Sequence, residues 1–305
     1  MKRLILSITM LLAVCSANMF AGGIHDAVEN GDVEKARKLI GENPEVVNKV
    51  DEFGRTPLGG ACRHDNIEIV KLLLPHCTKA TINKADEYGH TPLDFACHKD
   101  NLDLVKLLLP HCTKETINKA DKLGDTPLYW ACFEGNLEIV TLLLLNGATV
   151  RQEDIVDSDQ TLKDYLEAAL EYDALEKNKL QDKIKFIYSK SGDQGIFTFL
   201  IKLAFSRFLQ KVMDENKEFL RFISPSKLFA EKSWKDTVFY ELYKDEKIDF
   251  KEILGVPRQN NYVDFANQVI KKNDFYFAKP FVKNDLAFQQ NLITPNYSDV
   301  EILFN

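Results

Sequence analysis

Along the first half of this 305-residue chain the apolar positions recur with a period of 35. Three blocks align, "DEFGRTPLGGACRHDNIEIVKLLL" from Asp51, "DEYGHTPLDFACHKDNLDLVKLLL" from Asp86 and "DKLGDTPLYWACFEGNLEIVTLLL" from Asp121. Each opens with a glycine (Gly54, Gly89, Gly124) that permits a tight turn. Thr56, Thr91 and Thr126 follow as helix N-caps, with Pro57, Pro92 and Pro127 at the first helical position, where a missing N–H costs nothing. Thr91 with Asp94 three residues on has the form of a capping box. A short helix through the Ala-Cys pair, a turn at Asn66, Asn101 or Asn136, and a second helix ending in Leu-Leu-Leu complete the block. Self-similarity at this period predicts a stack of identical supersecondary units, each burying its apolar face against the next.

The pattern D-x-x-G-x-T-P-L-x-x-A followed by N-[IL]-x-[IL]-V-x-L-L-L resembles the ankyrin repeat. "GIHDAVENGDVEKARKLIGENPEVVNKVDEFG", from Gly23, has two helices but no T-P-L, and resembles a divergent N-terminal capping repeat. The expected fold is therefore mainly α: an ankyrin-repeat helical solenoid over 22–150 (capping repeat 23–50, then repeats from 51, 86 and 121), capping helices or a linker over 151–190, and a second, mostly helical domain over 191–305. Two departures from the family stand out. Gly59, Asp94 and Tyr129 occupy the position after T-P-L where the family usually has His, so the turns are expected to be less firmly ordered than in an idealised array. The period is 35 rather than 33, with the extra residues after Leu74 and Leu109.

Those extra residues lie in "KLLLPHCTKATINKAD" (Lys71–Asp86) and "KLLLPHCTKETINKAD" (Lys106–Asp121), which differ only at Ala80 and Glu115. Pro75 and Pro110 end the second helix, and His-Cys-Thr-Lys reads as an enlarged loop copied with its repeat. A zinc site of His76, Cys77, His111 and Cys112 has suitable ligand chemistry, but all four must come within about 2.3 Å of one ion. Equivalent atoms of stacked helices stand roughly 10 Å apart, so the expectation is no metal and no cofactor. The same spacing exceeds the about 7 Å between Cα atoms that a disulfide tolerates. Cys62, Cys97 and Cys132 then read as small buried hydrophobes.

Lys2 and Arg3, the apolar run Leu4–Val14 and the small residues of "CSANMFA" form a secretory signal peptide pattern over 1–21, with cleavage after Ala17 or Ala21. The run is too short to span a bilayer. "LAVC" gives an alternative in which Cys15 carries a lipid, although Val14 fits that pattern poorly. The protein is thus expected to be exported, periplasmic or secreted, and the short leader with this style of repeat points to a bacterial source. Net charge of −7 without a basic cluster argues against nucleic acid as a partner. Hydrophobic content of 45% with 28% charged residues is that of a folded protein.

Beyond Val150 the repeat grammar fades. "DSDQTLKDYLEAALEYDALEKNKLQDKIKFIY" has Leu162, Tyr165, Leu166, Ala169 and Leu170 at helical spacing, with Thr161 placed to cap a degenerate last repeat. This segment is expected to cover the apolar end of the stack. Most of the phenylalanines come after Lys190, in "GIFTFLIKLAFSRFLQKV" and "SWKDTVFYELY", which read as amphipathic helices of a compact core; a lipid-binding surface is the alternative. "NDFYFAKPFVKND" reads as a strand or an extended packing arm. No His or Cys follows Cys132, which removes His-dependent triads and Cys nucleophiles from the second half. No phosphate-binding loop or nucleophile elbow is present either.

The resemblance implies a protein-binding module that presents its turn tips and the exposed side of its first helices. Carried onto this sequence, the turn residues are Glu52, Phe53 and Arg55, then Glu87, Tyr88 and His90, then Lys122, Leu123 and Asp125. The helix residues are Arg63 and His64, His98 and Lys99, Phe133 and Glu134. Phe53, Tyr88 and Phe133 are the expected anchors, because exposed aromatics flanked by charges dominate interface energetics. Arg55, Arg63, His64, His90, His98, Lys99 and Asp125 are the expected polar contacts, since copies that differ between repeats report the partner rather than the fold. The alternative is an enzyme or toxin-like effector whose activity resides in the C-terminal domain, with the repeats for targeting.

Overall fold

The computed structural model describes residues 23–156, 158–175, 180–215, 237–245, 248–259 and 262–276. The signal segment with Cys15, and most of "NDFYFAKPFVKND", lie outside the described residues. Residues 273–276 of the latter are not strand, and no strand occurs among the described residues. The chain divides into two compact units, one ending at Leu166 and one beginning at Glu167.

In the first unit, helices α1 (residues 23–29) and α2 (Val33–Glu42) form the opening repeat, closed by a 3-10 turn, Pro44–Asn48. The repeat from Asp51 contributes α3 (Pro57–Arg63), α4 (Ile67–Leu73) and the one-turn α5 (Lys79–Ile82). The repeat from Asp86 contributes α6 (Pro92–His98), α7 (Leu102–Leu108) and α8 (Lys114–Ile117), and that from Asp121 contributes α9 (Pro127–Phe133) and α10 (Leu137–Leu145). First helices pack on first helices, α3 on α6 and α6 on α9, while α4 packs on α7 and α7 on α10.

The caps explain why the helices start where they do. Thr56, Thr91 and Thr126 accept the N–H of Gly59, Asp94 and Tyr129, and Asp94 returns the bond to Thr91 as a complete capping box. Asn66, Asn101 and Asn136 are N-caps of the second helices rather than mere turn residues. Leu58, Ala61 and Cys62, with Ile69, Val70 and Leu73, are wholly buried, as are their counterparts Ala96, Cys97, Leu104, Val105 and Leu108. All five described cysteines are free thiols. Burial pushes Cys77, Cys112 and Cys132 up to about 12, and Cys62 and Cys97 well above the ordinary thiol value.

The extra residues of the long repeats are not an irregular loop. Leu74–His76 and Leu109–His111 are 3-10 turns, and Thr78 and Thr113 cap α5 and α8. Asn48 Oδ1 accepts the N–H of Thr78 at 3.1 Å and the hydroxyl of Thr81 at 2.7 Å. Asn83 Oδ1 does the same for Thr113 and Thr116, at 3.1 and 2.6 Å. Asn118 Oδ1 accepts the N–H of Thr149 at 2.8 Å. Asn83 and Asn118 also donate forward, to His111 O and Gly147 O, both at 2.9 Å. The PHCTK segment therefore builds one half of an inter-repeat ladder. A second ladder runs through the helix junctions, where Asn101 Nδ2 donates to Asp65 Oδ1 at 2.7 Å and Asn136 Nδ2 to Asp100 Oδ1 at 2.6 Å.

The end of the array is closed by α11 (Gln152–Val156), which packs on α9; α12 (Gln160–Ala174) follows, with Leu162 and Leu166 buried. Arg151 donates to Gly124 O at 2.6 Å and pairs with the buried Asp154 at 2.9 Å. The expected cap Thr161 is exposed in the first turn of α12; Asp159, two residues earlier, accepts the N–H of Leu162 instead.

The second unit contains α13 (Leu180–Ser189), α14 (Gln194–Glu215), α15 (Val238–Lys244), α16 (Phe250–Leu254) and α17 (Tyr262–Lys272). Its core is a cluster of phenylalanines: Phe205, Phe239, Phe250, Phe265 and Phe275 are fully buried. Ring centroids stand 4.3 Å apart for Phe205 and Phe239, and 5.2 Å apart for the edge-on pairs Phe205–Phe275 and Phe250–Phe265, spacings that add favourable quadrupolar contact to burial. Among the described residues no helix is long and apolar enough to cross a membrane.

Candidate protein-binding surface

The three turn tips are built alike. Asp51 Oδ1 accepts the N–H of Phe53 and Arg55, Asp86 Oδ1 those of Tyr88 and His90, and Asp121 Oδ1 those of Leu123 and Asp125, at 2.8–2.9 Å throughout. Adjacent tips are laced by backbone bonds, Glu87 N–H to Phe53 O and Lys122 N–H to Tyr88 O, each 2.9 Å. These bonds order the turns without the histidine usual after T-P-L. They also align Phe53, Tyr88 and Leu123 in one outward column.

What differs between tips is the side-chain chemistry. Arg55 lies 4.7 Å from the centroid of the Phe53 ring and binds Asp51 Oδ2 at 2.8 Å, with Glu29 at 3.9 Å. Its side chain is only 11% exposed. Of the first turn's expected contacts, Phe53 is thus half-covered and Arg55 is occupied within the chain. His90 is likewise a tie. Its Nε2 lies 3.1 Å from Asp121 Oδ2 and its Nδ1 3.7 Å from Asp86 Oδ2. Its ring is 5.4 Å from that of Phe95.

Behind His90 sits Asp94, where Oδ2 accepts both the N–H and the hydroxyl of Thr91 at 2.6 Å while Oδ1 is buried without a partner. Burial raises the Asp94 carboxyl to about 7, against the lowering by the Thr91 hydrogen bonds and by His90. Asp125 is raised by desolvation and by the neighbouring Asp121.

The exposed large apolar side chains among the described residues are Val50, Tyr88, Leu123 and Phe133, and all four belong to the repeat array. Tyr88 is 52% exposed, Leu123 84% and Phe133 61%. Hydrogen bonding to the adjacent Glu87 carboxylate pushes the Tyr88 phenol above its ordinary value. Phe133 stands over half-buried Tyr129 and Trp130, with ring centroids 6.4 and 6.2 Å away. His98 extends this cluster, 4.6 Å from the Trp130 ring and 3.2 Å from Glu134. Arg63, His64 and Lys99 are exposed at the ends of α3 and α6. Leu123 is the strongest exposed anchor that a preference for aromatics passes over; its place in the Phe53–Tyr88 column is the signal that marks it. Among the described residues no group of three or more His, Cys, Asp or Glu is arranged to hold a metal.

Paired helices stacked in register, with turn tips laced edge to edge, define a helical solenoid with a continuous face of turns and first helices. Residues 24–121 and 95–159 match the family model for ankyrin repeats (3 copies), so the N-terminal part of the chain is an ankyrin-repeat array. The C-terminal part matches no family model. No curated protein matches the chain. Ankyrin repeats are generally protein–protein interaction modules and are not themselves enzymes.

Proposed function

We propose that this is an exported protein of a bacterial envelope or exterior, and that it binds a protein partner through the turn and first-helix face of its repeats. One observation carries the binding surface: the exposed large apolar side chains gather on the repeats, with Tyr88 and Leu123 on neighbouring turns and Phe133 at the end of α9. An aromatic and an aliphatic anchor, ringed by Glu87, Lys122, Asp125 and Glu134, match the make-up of an interface centre with a polar rim. Support for export comes from Lys2, Arg3, the apolar run to Val14 and the small residues after it.

The test is differential capture. Wild type and a Tyr88→Ala/Leu123→Ala/Phe133→Ala variant are used as bait against the envelope fraction, and both are checked for the same unfolding midpoint. A partner retained by wild type and lost by the equally stable variant supports the surface. Equal capture by both would place binding elsewhere. Mass spectrometry of the protein recovered from fractionated cells reads its first residue and its compartment together; full-length protein in the cytosol would overturn the export reading.

A further inference from the structure

The first two turns hold the same parts, and one of them is incomplete. In the first, the Phe53 ring carries a guanidinium supplied by the chain itself, Arg55, clamped by Asp51 at 2.8 Å. In the second, the ring is Tyr88 and the turn carboxylate is Asp86, but Arg55 is replaced by His90. That imidazole is turned to Asp86 and Asp121 and stands 6.3 Å from the Tyr88 ring, tilted rather than stacked. Tyr88 is left 52% exposed, with the exposed Glu87 carboxylate beside it. The third turn keeps its turn carboxylate, Asp121, but Leu123 stands in the column in place of a ring, and Lys122 replaces Glu52 and Glu87.

We propose that Tyr88 and Glu87 take up an arginine of the protein partner, as Phe53 and Asp51 hold Arg55 within the chain, and that Leu123 seats an aliphatic side chain next to it. This rests on the reading of the turn face as the binding surface and adds the chemistry of its ligand. A guanidinium fits better than an ammonium because it is planar, stacks on an aromatic face and still offers edge donors to a carboxylate. The reversal from Glu87 to Lys122 sets a direction. The partner's cation belongs on the side of the second turn, and a second cation over the third turn would meet Lys122. The net charge of −7 favours a cationic segment at long range as well. The occupant is therefore an extended basic segment with an arginine followed or preceded by an aliphatic residue.

Displayed random dodecapeptides selected on the full chain test this directly. The expected result is enrichment of arginine beside Leu, Ile or Val. Selected peptides should lose about tenfold in affinity on Tyr88→Ala or on arginine-to-citrulline replacement, in keeping with a partly desolvated cation–π contact. Tyr88→Phe should retain binding, and Glu87→Gln should weaken it with little change in unfolding midpoint, since the bond that laces the turns is made by the Glu87 backbone and its exposed side chain meets only the exposed Tyr88 phenol at the surface. Peptides that depend on Leu123 and Phe133 but carry no basic enrichment, or that are acidic, overturn this inference and leave the binding surface standing. Selection of no peptide sensitive to Tyr88, Leu123 or Phe133 overturns both.

Discussion

Asn83 Oδ1 accepts the hydroxyl of Thr116 at 2.6 Å, across the joint between two repeats and 33 residues along the chain. The same side chain accepts the Thr113 N–H and donates to the carbonyls of Lys79 and His111. Asn83→Ala removes all four bonds at a half-buried joint. We expect a loss of about 2–3 kcal/mol, since orphaned donors and acceptors cost more than the net value of each bond. His76→Ala, in the PHCTK turn but outside the ladder, should change stability by less than about 0.5 kcal/mol. Urea midpoints at constant m-value check both.

The turn glycines are equivalent in the repeat pattern and unequal in space. A Cβ on Gly89 (φ +98) would stand 2.8 Å from Asp121 Cα and 3.0 Å from Lys122 N, which are backbone atoms of the next turn. One on Gly124 (φ +97) meets nothing within 4 Å. Gly124→Ala should cost about 1–2 kcal/mol of left-handed strain. Gly89→Ala should cost clearly more, because the Lys122–Tyr88 backbone bond must also give way. Equal thermal shifts for the two would contradict the lacing of adjacent tips.

Asp94 gives the array a pH dependence of definite sign. Its carboxyl, about 7 in the folded state through burial, returns to its ordinary value near 3.8 when unfolded. The folded state then binds the extra proton, so stability from this group is fullest below the unfolded value and falls as pH rises towards 7. The span corresponds to a change on the order of 4 kcal/mol. Asp94→Asn, which keeps an acceptor for Thr91, should flatten the stability profile between pH 4 and 7. An unchanged slope would remove Asp94 as its source.

The thiols should be silent in the native protein. Burial holds Cys77, Cys112 and Cys132 at about 12 and the other two higher, so thiolate is scarce at pH 8. Reaction with Ellman's reagent should proceed at the rate of unfolding and release five equivalents from a protein lacking its leader, six if Cys15 is retained. Rapid modification of any of the five would show local opening.

The cap at the far end is tested by truncation. A chain ending at Val150 loses Arg151, Asp154 and α11, and bares the side of α9 that α11 covers. It should aggregate. A soluble 22–150 fragment with a cooperative transition would show that α10 alone suffices.

Much of this was legible before any coordinates. Thr-Pro caps the first helices because local backbone chemistry leaves it few other uses, and a column of cysteines beside Ala61, Ala96 and Ala131 has to be inside, whereas Asn66, Asn101 and Asn136 read as turn residues and are N-caps. Partners across the joints were not legible. Arg55 and His90 vary between copies as a binding residue would. Only the stacking distance shows that Arg55 can reach Glu29, and that His90 can reach Asp121. The period of Asn48, Asn83 and Asn118 is plain in the sequence, but their acceptors and donors lie in the following repeat. Asp159 and Thr161 are two chemically adequate caps, and the register of one helix end decides between them. The second unit has no period at all, so its helices could be predicted while the meeting of five phenylalanine rings could not.

The Asn–Thr joint has one further consequence, for how such a chain grows. The joint between Asn48 and Thr78 is chemically the same as that between Asn83 and Thr113, so the block from Asp86 to Ala120 carries a matching socket on one side and plug on the other. Inserting a second copy of that block would form a joint of the same kind, Asn118 meeting the copied Thr113 and Thr116 as Asn83 meets them now. The length of the array is thus open to change by unequal duplication; the last repeat still engages Asn118 through Thr149 N–H and Gly147 O, and it is Arg151, tied to Gly124 O and Asp154, that closes the final turn.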